Sequence, residues 1–137
     1  METHGIFAPS DETEAREQYE TVGPSAQTVV RESAKAMDFD REEYGERVTS
    51  DVVETARDAL FASLLKISTG TREEFEDAIP DTFDVHEEGS ENVENVAWHI
   101  APAVESVIAA TYHEKERAAV ATLQRIAFGR IYRDIVQ

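Results

Sequence analysis

Four residues between Trp98 and Glu116 have the types and spacing that ligand chemistry needs. On a helix running through Pro102, the side chains of Trp98, Pro102, Glu105, Ala109 and His113 share one side, with Glu116 one turn further. His113 and Glu116, three apart, can then meet one ligand or one metal ion. This reads as a small pocket with Trp98 as its wall and His113 or Glu105 as acid/base or ligand. In the plainer reading Trp98 and Pro102 pack on a neighbouring helix while His113 and the glutamates face solvent. The plainer reading is preferred, because glutamates occur on every face of this chain.

The other histidines carry less. His99 lies beside Trp98 on the flank of an apolar stripe; it can titrate near neutral pH, but such a residue more often serves as a hydrogen-bonded boundary. His4 and His86 fall in segments read as irregular. The Glu-x-x-His pairs of di-iron bundles are missing, since Val96 and Ala110 stand three residues before His99 and His113. With no cysteine there is no thiolate site. Nucleotide-loop, zinc-protease, nucleophile-elbow and EF-hand patterns are absent as well. The expectation is no metal and no cofactor, beyond diffuse hydrated monovalent cations at the surface. Arg125, Arg130, Tyr132 and Arg133 form the one basic, aromatic-interleaved cluster, which as a nucleic-acid site competes with a strongly acidic background. These arginines are better read as pairing with acidic neighbours or with a second subunit.

The elements that must position these residues read as helices. Asp11 with Glu14, Asp40 with Glu43, and Thr71 with Glu74 have capping-box spacing, and Thr49-Ser50 opens the strongest amphipathic stripe, to Ile67. Gly23-Pro24 ends one helix and starts the next. Residues 1–9 read as an irregular arm and 79–90 as a surface loop. From Val93 to Ile108 one helical phase persists through Pro102, giving a kinked helix or two helices meeting there. The last helix, 114–136, is apolar around most of its cylinder, and Gly129 in it suggests a close backbone approach. The resulting expectation is a single all-α domain over 1–137, a bundle of five to seven helices. The alternative is α+β with a small hairpin near residues 81–87.

Charge bounds the setting. Of 137 residues, 29 are acidic and 13 basic, a formal net charge of −16, while 41% are apolar, enough for a core. Self-repulsion of this size opposes compactness in dilute buffer. In molar salt the Debye length falls to about 3 Å and the repulsion is screened. Ten of the basic residues are arginine and three are lysine (Lys35, Lys66, Lys115), and the acidic residues are dispersed. That pattern favours salt adaptation over mimicry of nucleic acid, since arginine is the better ion-pair former. No apolar run reaches membrane length and no signal segment is visible, so the expected location is the cytoplasm.

The segments AQTVVRESAKAMDFDREEY, DVVETARDALFASLL, GTREEFEDA, GSENVENVAWHIAP and AVATLQRIAFGRIYRDIV together resemble a small family of haloarchaeal proteins of unknown function. The resemblance covers nearly the whole chain, least in residues 79–88. It implies salt adaptation and carries over no catalytic residue. The functional expectation is a non-enzymatic helical interaction or oligomerisation module, a homo-oligomer or an adaptor for a protein partner. Its expected interface is Leu123, Ile126, Phe128, Arg130, Ile131, Tyr132 and Ile135 of the apolar last helix. A ligand binder or enzyme using the Trp98/Glu105/His113 face, with Glu116, is the second reading. Nucleic-acid binding through the C-terminal arginines is the third.

Overall fold

The computed structural model describes all residues, 1–137. It is α+β, which corrects the all-α expectation. The strands are β1 (Glu2–His4), β2 (Ile67–Thr71), β3 (Asp84–Glu88), β4 (Asn95–Ala101) and β5 (Ser106–Thr111). They form one mixed sheet in the order β1-β2-β4-β5-β3. Its pairs are antiparallel except β3 with β5, which is parallel. The helices are α1 (Glu12–Thr21), α2 (Gly23–Ala36), α3 (Arg41–Arg47), α4 (Ser50–Ser63), α5 (Arg72–Ala78), α6 (Glu116–Ala127) and α7 (Arg133–Val136).

The largest correction falls on residues 95–111, expected as helix and found as the β4–β5 hairpin. Both faces of β4 are buried. Ala97, His99 and Ala101 point to the side of α1, α4 and α6, while Val96, Trp98 and Ile100 point to the side of α5. A strand covered on both faces reads as a continuous apolar run, and such a run mimics a buried helix in periodicity. The β-branched residues Val96, Ile100, Val107, Ile108 and Thr111 favour the strand. Pro102 opens a 3₁₀ turn, and Glu105 closes it with φ 49°, in the left-handed region. The two segments expected to be irregular also supply strands: β1 lies within 1–9 and β3 within 79–90. The alternative had the α+β class, but its hairpin near 81–87 is corrected: β3 is a single strand that pairs in parallel with the distant β5.

Local helix signals hold where the chain supplies its own cap. Asp11 accepts from the Glu14 N–H and Asp40 from the Glu43 N–H, both at 2.8 Å. Thr71 and Glu74 complete a reciprocal capping box. The stripe from Thr49 ends as a helix at Ser63, and its last residue, Ile67, begins β2 instead.

The main core lies between the sheet and α1, α4 and α6, around Phe61, which is fully buried. Phe7, Tyr19, Phe128 and Tyr132 surround its ring with centroids 5.6–5.9 Å away. A smaller core on the opposite face joins Phe75 of α5 to Trp98 at 5.4 Å. Between α6 and α7 the backbone widens into a π-helical turn over Phe128–Tyr132. Gly129 sits in that turn facing open space, with nothing within 4 Å of an added Cβ. Its expected close backbone approach is therefore absent. No helix is long and apolar enough to cross a membrane.

Candidate functional site

The residues singled out as one helical face are dispersed by the hairpin. Trp98, 1% exposed, is part of the smaller core. Glu105 is exposed at the β4–β5 turn, and His113 is exposed beyond the other end of β5. Only Glu116 retains a defined polar setting: the Thr69 hydroxyl donates to its Oε1 at 2.6 Å. That hydrogen bond, aided by His4 and opposed by burial, holds the Glu116 carboxyl below the usual range.

His99 is fully buried. Its Nδ1 lies 2.7 Å from the Lys66 carbonyl oxygen and its Nε2 lies 2.6 Å from the Tyr132 hydroxyl. A carbonyl only accepts, so Nδ1 carries the proton and donates to Lys66, which leaves Nε2 to accept from the phenol. Burial, partly opposed by the Lys66 carbonyl, pushes the imidazole pKa below its ordinary value. Burial pushes the Tyr132 phenol well up. Both groups stay neutral at pH 7, as a satisfied pair crossing from sheet to π-turn.

The apolar surface of the last helix is largely taken up within the chain. Leu123, Phe128, Ile131 and Tyr132 are buried in the main core, and Ile126 and Ile135 are half-buried against it. Arg130 is exposed, with Nη2 at 3.2 Å from His86 Nδ1.

What remains open is a groove of about 540 Å³ between α4 and the C-terminal helical run. Ala59, Ala62 and Ser63 of α4 form one wall, and Ala121, Gln124 and Phe128 form the other. Small side chains on α4 leave the space between the two walls unfilled. Gln124 supports the floor, since its amide donates to the carbonyls of Ser63 and Leu65, both at 3.0 Å. It thereby satisfies groups left free where α4 ends. The π-turn, a feature frequent at functional sites, places both Phe128 and Tyr132 in the core, and only an edge of Phe128 reaches the groove.

The rim is charged. Arg125 and Arg133 line the groove, are exposed, and form no ion pair with any carboxylate of the chain. Arg133 lies over the Phe128 ring at 5.4 Å. Asp58, the acidic residue of the lining, is held elsewhere: it accepts from Tyr19 at 2.6 Å and from Gln137 at 2.8 and 2.7 Å. Burial, and then that bond to Asp58, pushes the Tyr19 phenol up to about 12. The sequence reading found the arginines and Phe128 but missed the α4 wall. Ala59 and Ser63 lie within the stripe from Thr49 to Ile67, where nothing marks them as the wall of a groove.

No curated protein and no solved structure matches the chain. The model of a family of unknown function, DUF5809, matches residues 6–133, so the chain belongs to that family.

Proposed function

We propose that the protein is a salt-adapted, non-enzymatic interaction module of the cytoplasm, whose groove between α4 and α6 receives an acidic amphipathic helix of a protein partner. The observation that carries this is the pair of exposed, carboxylate-free arginines, Arg125 and Arg133, on an apolar groove of a chain with net charge −16. Its volume is in the range of binding clefts, about 300–1,000 Å³. The arginines are eight residues apart, about two turns along the helical run, which matches carboxylates two turns apart on an opposing helix. An apolar stripe between those carboxylates would cover the exposed Ala59 and Ala121, the helix-in-groove mode of recognition.

The test is fluorescence anisotropy in molar KCl with a labelled helical peptide of about 14 residues, glutamates two turns apart around leucines. Binding should weaken by about tenfold or more in R125E/R133E, and less in R130E outside the groove. Equal affinity for the wild type and R125E/R133E, or no binding to either, would sink the proposal.

The salt-adapted part rests on the surface. No aspartate or glutamate is among the buried residues, and the ion pairs formed by lysine and arginine side chains number three. Repulsion among carboxylates is thus met mainly by solvent and ions. Raising KCl from about 0.1 to about 2 M shortens the Debye length from about 10 Å to roughly 2 Å. The melting temperature is expected to rise by roughly 5–10 °C, about 2 kcal/mol at this chain length. A melting temperature that is flat or falls with KCl would contradict it.

A further inference from the structure

We infer that Glu2, His4 and Glu116 form a binding site for one divalent first-row transition-metal ion, of the zinc, cobalt or manganese class. The site is separate from the groove and does not depend on it. One ligand atom from each residue can be chosen so that all lie within 4.8 Å of one another. His4 Nε2 is 3.5 Å from Glu116 Oε1 and 3.9 Å from Glu2 Oε2. Ligand atoms around a tetrahedral ion with bonds near 2.1 Å stand about 3.4 Å apart, so small side-chain rotations close the set.

Three features build this arrangement. β1 pairs with β2 so that Glu2 stands opposite Thr69 and His4 opposite Ile67. Residues opposite one another in an antiparallel pair share a face, and Ile67 belongs to the main core, so Glu2 and His4 turn toward the helix side. The first residue of α6 there is Glu116, brought from more than a hundred residues away. The Thr69 hydroxyl fixes one Glu116 oxygen at 2.6 Å, as an outer-shell donor orients a ligating carboxylate. His4 Nε2 itself is shielded from solvent and lacks a hydrogen-bond partner. A shielded ring nitrogen held between two carboxylates is suited to ligate a cation.

The donor set selects the metal. Calcium and magnesium prefer all-oxygen shells, whereas an imidazole nitrogen with two carboxylates suits zinc, manganese or cobalt. Three protein ligands leave positions for water. Glu2 and His4 precede the segment matching the family, so the proposal concerns this chain. The Glu2-Thr3-His4 alternation carries the signal in the sequence once the arm is read as a strand; Glu116 was noticed there but matched with His113.

The experiment is calorimetric titration of the full chain with Zn²⁺ in molar KCl and excess Mg²⁺, which occupies the dispersed carboxylates. Co²⁺ absorption reports the coordination. A single 1:1 event is expected, weakened by about tenfold or more in H4A and E116Q and by roughly tenfold in T69V. Circular dichroism of E116Q, which keeps the side-chain shape, separates ligand loss from unfolding. Absence of a 1:1 event, or unchanged Zn²⁺ affinity in both H4A and E116Q, would overturn the proposal.

Discussion

Phe61→Ala is expected to lower the unfolding free energy by about 3–5 kcal/mol. Phe61 is fully buried, and four aromatic rings from the arm, α1 and the π-turn meet it at 5.6–5.9 Å. Removing the ring deletes its transfer free energy and leaves a cavity that rigid aromatic neighbours cannot collapse into. Urea unfolding in molar KCl measures the loss. A cost below about 1.5 kcal/mol, the range of volume-conserving swaps, would mean that the cluster is loosely packed. Phe61→Leu should recover part of the loss by refilling the space.

The His99–Tyr132 pair sets the second large effect, which appears as a pH dependence. The unfolded imidazole titrates near its ordinary value of about 6.5, while burial holds the folded one lower. Between those two values the unfolded chain binds more protons, so stability falls as pH falls. Above about 6.5 the group contributes no slope. The loss approaches about 1.4 kcal/mol per pH unit below that value and stops once the folded imidazole also protonates. His99→Leu should abolish this slope just below about pH 6.5, whatever its cost at pH 7. Tyr132→Phe removes the donor to Nε2 and leaves a buried acceptor unpaired, costing about 1–3 kcal/mol at pH 7. Urea midpoints across that pH range check both, and an identical slope in His99→Leu would show that other groups cause it.

Much of the helical half was legible because its signals are local. A cap at Asp11, Asp40 or Thr71 satisfies N–H groups three residues away, and the side chain that does so is written beside them. The β4–β5 hairpin was not legible from the same kind of pattern. Val93, Val96, Ala97, Ile100, Val104 and Val107 satisfy a helical period, but Val96 and Ala97 serve opposite faces of a sheet covered on both sides. With the hairpin went the assumed face of Trp98, Glu105 and His113, whose common side existed only in a helix.

The candidate sites divide along the same line. Arg125 and Arg133 stand out in the sequence because they interrupt an acidic chain, and no fold is needed to see them. Their apolar groove required α4 to lie against α6, with Gln124 tying the end of α4. His99 was read as a hydrogen-bonded boundary residue, yet its partners, Lys66 and Tyr132, are each 33 residues away.

The sequence alone determined the charge, the absence of thiolate chemistry and the starts of the capped helices. All of these depend on residue type or on neighbours a few positions away. Tertiary structure decided which apolar runs became strands, and it alone brought Glu2, His4 and Glu116 together. Burial on two faces and pairing at long range are properties of the assembled sheet, and no window along the chain contains them.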